Sequence, residues 1–133
     1  MSFLYTALYS AILALIFIGL SLYVVKMRWK FQVGLGDGGN KEMMKAVRIH
    51  ANFSEYIPLA LLLMAFLESL IQTSALIHVF GVTLIIGRIL HLLGLKKSIG
   101  TSQGRFIGMG ITFVVIVVLA LMLMFKCSYI IYQ

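Results

Sequence analysis

Residues 3–25 read FLYTALYSAILALIFIGLSLYVV, without one charged side chain. About 20 apolar residues in a helix cross the ~30 Å hydrocarbon core of a bilayer. This stretch therefore reads as a spanning helix. No basic region precedes it and no Ala-x-Ala-like cleavage site follows it, so it reads as a retained helix rather than a secretory signal. The rest of the chain has the same character. Of its 133 residues, 62% are hydrophobic and 11% charged, with a mean hydropathy of +1.06. A soluble domain carries about 45–50% apolar and about 25% charged residues. That excludes a soluble domain, a disordered tail and a disulfide-rich module. One Pro and 12 Gly exclude a collagen-like chain. The fold class is an all-α integral membrane protein.

Outward from the first span, Lys26, Arg28 and Lys30 form a basic cluster, and Gly34-Leu-Gly36-Asp37-Gly38-Gly39-Asn40 follows as a loop. No strand precedes these glycines, so they read as a flexible connection and not as a phosphate cradle. Asn40 is placed to cap a second helix, with Glu42 in its first turn favouring the dipole. Pro58 lies within that helix, has no amide for the Ser54 carbonyl, and should bend it. Residues 69–87 and 106–125 are two more uncharged runs. Lys96, Lys97 and Gly100 mark a short loop, after which Thr101 or Ser102 is placed to cap the last helix. The expected spans are 3–25, 41–71, 74–95 and 102–126, a four-helix bundle in one domain over residues 1–133 with no internal repeat.

Eleven Lys and Arg against four acids give a formal charge of +7 and a pI near 9.8. The positions of the cations argue against nucleic acid. Lys26, Arg28, Lys30, Lys41, Lys45 and Arg48 fall in or beside the first loop; Lys96, Lys97 and Arg105 fall in or beside the third; the second has none. The positive-inside rule places loops 1 and 3 in the cytoplasm and both termini outside. Cys127 is the only cysteine, so no intramolecular disulfide or cysteine metal site is available; it reads as packing. No metal site is expected.

Some polar residues do not suit a plain anchor. Arg48, Asn52, Glu55 and Tyr56 stand at i, i+4, i+7 and i+8 on one side of helix 2. Arg88 and His91, three apart, share a face of helix 3. Ionisable side chains in spanning helices are costly and face a bundle interior or a wet cavity. Both groups lie in the cytoplasmic half, at the same end as Arg28 and Arg105. Arg105, near the start of helix 4, opposes the helix dipole unless an anion sits between them. The band suits a polar, anionic small molecule held at the membrane–cytoplasm boundary. Simpler readings stand beside this one. Glu55 neutralises Arg88; Asn52 is interhelical glue; Tyr56 is a belt residue. Glu68 and Gln72 mark the outer interface, His78 a packing contact, and Met122 and Met124 lipid or core.

The run Arg48-Ile-His-Ala-Asn52-Phe-Ser-Glu55-Tyr56-Ile-Pro58 closely resembles the helix 2 signature of the MAPEG superfamily, the membrane-associated proteins in eicosanoid and glutathione metabolism. Members include microsomal glutathione transferases, leukotriene C synthase and prostaglandin E synthase. Arg88-Ile-Leu-His91 resembles the helix 3 motif, Val24-Val-Lys-Met-Arg28 the end of helix 1, and Gly104-Arg105-Phe-Ile-Gly the start of helix 4 in bacterial members. The resemblance covers essentially the whole chain. It implies a homotrimer in a bilayer, by analogy a bacterial inner membrane, with glutathione as co-substrate between subunits on the cytoplasmic side. Arg48, Asn52, Glu55, Tyr56, Arg88 and His91 would then form the glutathione site, Arg28 would reach it from the adjacent subunit, and Arg105 would be the catalytic arginine. Glutathione carries two carboxylates and an ammonium. Arginines fit the carboxylates, Glu55 suits the ammonium, and a cation beside the thiol favours the thiolate. The implied function is a glutathione transferase, with peroxidase activity as an extension, acting on hydrophobic electrophiles that arrive from the bilayer. Eicosanoid-making members place a tyrosine four residues after the position of His91, where this chain has Leu95. Other classes are weaker. A small multidrug transporter wants a membrane-embedded acid in helix 1, which has none. A haem protein would need His50 and His91 as axial ligands. A non-catalytic family member is the remaining alternative.

Overall fold

The computed structural model describes residues 3–71, 74–97 and 103–133, with backbone only at 74 and 95–97. Four helices follow in order: α1 Leu4–Phe31, α2 Lys41–Leu70, α3 Ser74–Lys97 and α4 Gln103–Ile131. Each is long and apolar enough to cross a membrane. α1 continues past the expected end at Val25 through the basic cluster, and α4 past residue 126. The α1 prolongation carries Lys26, Arg28 and Lys30 and the α4 prolongation Tyr129, residue types suited to a membrane interface. α2 runs through Pro58 as one helix. The expected caps at Thr101 and Ser102, and Gly100 and Gln72, lie outside the described residues.

The core stripes follow helical spacing. α2 buries Ile49, Phe53, Ile57, Ala60, Met64 and Leu67, at steps of three and four. α3 contributes Ile77, Phe80 and Leu84, and α4 Val115, Leu119 and Leu123. α1 adds Tyr9, Leu13 and Leu20. The remaining faces of α1 and α4 are apolar and exposed, Leu15 and Phe125 among them, as a lipid-facing surface requires. α2 and α3 each touch all three other helices, whereas α1 and α4 do not meet. Among the helix pairs, α3 and α4 share the most extensive contact. A Cβ on Gly108 would collide with the His91 amide and the Gly87 carbonyl, so only glycine allows that approach.

Hydrogen bonds hold the glycine loop in the shape seen here. Arg28 Nη1 donates to the carbonyls of Val33, Gly34 and Gly36 at 3.3, 3.0 and 3.3 Å. Asp37 Oδ1 accepts from the Gly39 amide at 2.9 Å. Gly38, at φ 57° against the Val33 side chain, is a position where a Cβ is strained and crowded together. The loop delivers Asn40, whose Oδ1 accepts from the Glu42 and Met43 amides at 2.9 and 3.0 Å. That caps α2 as its sequence requires.

Candidate functional site

Near the end of the bundle where α3 meets the start of α4, an open groove of about 790 Å³ is lined by Asn52, His91, Gln103, Arg105, Phe106, Ile107 and Met109. α2, α3 and α4 each contribute. The lining mixes polar side chains (Asn52, His91, Gln103, Arg105) with apolar ones (Phe106, Ile107, Met109), and Phe106 is 81% exposed.

The four polar residues of α2 do not share one environment. At about 100° per residue, the stripe fans over roughly 100° of helix surface, from Tyr56 beside the core to Glu55 farthest from it. Tyr56 is half-buried and packs edge-on against Phe113 of α4, their ring centroids 5.3 Å apart. Asn52 is half-buried in the groove wall. Arg48 and Glu55 are exposed, outside the groove of a single chain.

On α3, Arg88 and His91 continue the core stripe and are 1% and 2% exposed. Arg88 Nη2 donates to Asn52 Oδ1 at 2.6 Å, and Nη1 lies 3.5 Å from Thr112 Oγ1, at the limit of hydrogen bonding. The guanidinium stands 5.6 Å from the centroid of Phe53. Arg88 therefore lies behind the groove, not in its wall, because the α3 core stripe carries it inward. The pairing of Arg88 with Glu55 does not form. Among the described residues the one ion pair is Lys45–Glu42, at 3.3 Å, and Glu55 points away from the core. His91 Nδ1 lies 3.2 Å from the Arg105 carbonyl and so ties α3 to the first turn of α4. A carbonyl only accepts, so the shared proton belongs to Nδ1.

Arg105 is exposed in the groove wall. Arg28 does not line this groove, and its Nη1 is directed to the glycine loop. Leu95 falls in the last turns of α3, and its side chain lies outside the described residues. His50 and His91 face different neighbours. His50 Nε2 is 3.0 Å from Ser21 Oγ and its ring lies on Phe17 of α1, whereas His91 faces α4. The two do not face each other across a shared haem cavity.

Sequence reasoning missed Gln103, Phe106, Ile107 and Met109, although their place within one turn of Arg105 was the available signal. The packing of Glu68 was not legible either. That carboxylate is 8% exposed and accepts from the amides of Tyr5 and Thr6 at 3.0 and 2.7 Å, so it ties the end of α2 to the start of α1. Beside it, the Tyr9 hydroxyl lies 2.9 Å from His78 Nδ1. Cys127, read as packing, is exposed.

Four spanning helices with a groove of mixed polarity at one end define a small integral membrane protein that gathers an arginine, a histidine and two amides beside apolar side chains. The chain belongs to the MAPEG family, whose profile matches residues 6–125. It is similar to the inner membrane protein YecN of Escherichia coli (strain K12), with 35% identity over 116 residues, which is 87% of each chain. The protein of that name in an Escherichia coli O6:H1 strain matches equally well. The chain is thus a membrane protein of the glutathione and eicosanoid metabolism superfamily.

Proposed function

We propose that this protein is a glutathione transferase acting on hydrophobic electrophiles at the membrane, and that the same thiolate supports peroxidase chemistry. One observation carries the reading: a single groove joins Asn52, His91 and Arg105 to the apolar Phe106, Ile107 and Met109. A peptide thiol with two carboxylates and an apolar second substrate need such a divided site. Membership of the family supports the choice of glutathione. Arg105 favours the thiolate over the thiol; the thiol proton goes to water, the sulfur bonds to the electrophilic carbon, and that carbon's leaving group departs.

Arg48 and Glu55 take their roles from an assembly. As exposed charges on a spanning helix, they need a second subunit over them. A homotrimer supplies one, with Arg28 of the neighbour within the composite site. The position of the related protein YecN in its name supports an inner membrane, and the cation bias supports loops 1 and 3, with the groove, on the cytoplasmic side.

The reading is tested by titrating glutathione into the detergent-purified protein in a calorimeter, then assaying thiolate attack on an activated aryl halide. Arg48→Ala should lose glutathione binding. Arg105→Ala should retain it and lose about 100-fold in turnover, the scale of one removed charge-stabilising donor. Wild-type protein that is folded and binds no glutathione would refute the proposal.

A further inference from the structure

Arg88 poses a problem that the groove alone does not solve. Its side chain is 1% exposed inside a spanning helix, and among the described residues no carboxylate meets it. Such a charge is expensive, and one without a counter-ion needs another reason to be there. A guanidinium can only donate, whereas a carboxamide has one accepting oxygen and one donating nitrogen. With Arg88 Nη2 at 2.6 Å, Asn52 must turn its oxygen toward the bundle interior. Its Nδ2 is thereby turned outward. There it meets only Met109 Sδ, at 3.8 Å, a weak acceptor on a flexible chain that also lines the groove.

Resting on the glutathione reading above, we infer that Arg88 is a positioning residue that locks the Asn52 carboxamide with its NH2 group toward the groove. The Asn52 subsite is then a fixed donor. It takes a carboxylate or carbonyl oxygen of the ligand in place of the Met109 sulfur, and it refuses an ammonium. The ligand's ammonium is therefore bound elsewhere. Arg88 itself never touches the ligand and acts through Asn52 alone.

The test uses the full-length protein in detergent. The chain has two asparagines, Asn40 and Asn52, so [15N]Asn labelling gives two side-chain amide pairs. Asn40, in its cap at the far end of the loop, is the internal reference. Arg88→Met should move the Asn52 pair and leave the Asn40 pair in place. Glutathione added to wild type should shift the Asn52 pair. Asn52→Asp has the same shape, gains a charge partner for Arg88 and loses the donor. It should unfold no earlier than wild type, yet bind glutathione about 10- to 100-fold more weakly, the worth of a hydrogen bond to a charged group. Arg88→Lys, which still donates to Asn52, should bind more tightly than Arg88→Met. An Asn52 role limited to packing predicts the opposite for Asn52→Asp: stability and binding retained together. That outcome overturns the inference, as does an Asn52 amide pair indifferent to both Arg88→Met and glutathione. Should Arg88→Met not fold, Asn52→Asp and Arg88→Lys carry the decision. A folded wild type that binds no glutathione ends the functional reading above, while the Arg88→Met spectrum still decides whether the lock exists.

Discussion

Glu68 makes two hydrogen bonds that the first helix cannot make for itself. The opening amides of any helix lack intrahelical acceptors, and α1 has neither a capping side chain nor an acid in its first turn. The carboxylate of α2 supplies both acceptors, to Tyr5 and Thr6. It also places a negative charge at the positive end of the helix dipole. Glu68→Ala leaves two amides without acceptors in a buried place and should cost about 1–3 kcal/mol. Glu68→Gln retains one acceptor and should cost less. Thermal unfolding in detergent should therefore rank wild type above Glu68→Gln above Glu68→Ala, with glutathione binding unchanged because the groove lies at the other end of the bundle. Equal unfolding temperatures would remove Glu68 from the account of stability. None of this could be read from spacing along α2, since the partner amides are more than sixty residues away. The missing cap of α1 was the one sign that an acceptor had to come from elsewhere.

The helices themselves were legible, because each rests on its own composition. An uncharged run long enough to span, a capping Asn40 and a first-turn Glu42 are local facts, and α2 begins where they place it. The stripe of polar residues on α2 was legible as a stripe. Its division into a groove-facing Asn52, a packed Tyr56 and an outward Arg48 and Glu55 was not, because that depends on where α4 lies. What positions α4 is glycine. Gly108 sits with backbone from His91 and Gly87 where its side chain would be, and Gly104 lies close to the Leu90 carbonyl. Gly108→Ala must push α4 off α3, weakening the His91 contact to the Arg105 carbonyl and the Arg88 contact to Thr112. We expect a loss of about 1–3 kcal/mol, the usual range for overpacking, together with weaker glutathione binding. Gly110, two residues on, has nothing within 4 Å of an added Cβ. Gly110→Ala should be neutral or stabilise the helix by about 0.5–1 kcal/mol. Unfolding of the two variants side by side separates close packing from helix propensity: if both behave alike, the glycine seam does not set the α3–α4 distance.

At the scale of the whole molecule, Glu55 decides whether one chain is enough. It stands about 22 Å from Leu70 along α2 at the usual rise per residue, within the ~30 Å hydrocarbon thickness measured from that end. Yet it is exposed on the single chain and forms no ion pair among the described residues. Arg48, two turns nearer the loop, shares that face and that exposure. Apolar residues exposed on other helices, such as Leu15 of α1 and Leu121 of α4, need only lipid around them; a carboxylate at this depth needs a partner. The chain should therefore purify as an assembly of several copies, with the Arg48 and Glu55 face against a neighbour. Light scattering on the detergent-corrected protein should give the mass of three chains. Glu55→Lys, which puts like charge beside Arg48 and beside any cation that a neighbour offers, should shift that mass toward one chain. Leu121→Ala, at an exposed apolar position on α4 away from that face, should leave it unchanged. Because the groove then loses its second subunit, Glu55→Lys should also lose glutathione binding in parallel with the mass. A wild type that stays a single folded chain, and binds glutathione as such, would show that one copy completes the site, and that Arg48 and Glu55 meet lipid headgroups rather than another subunit.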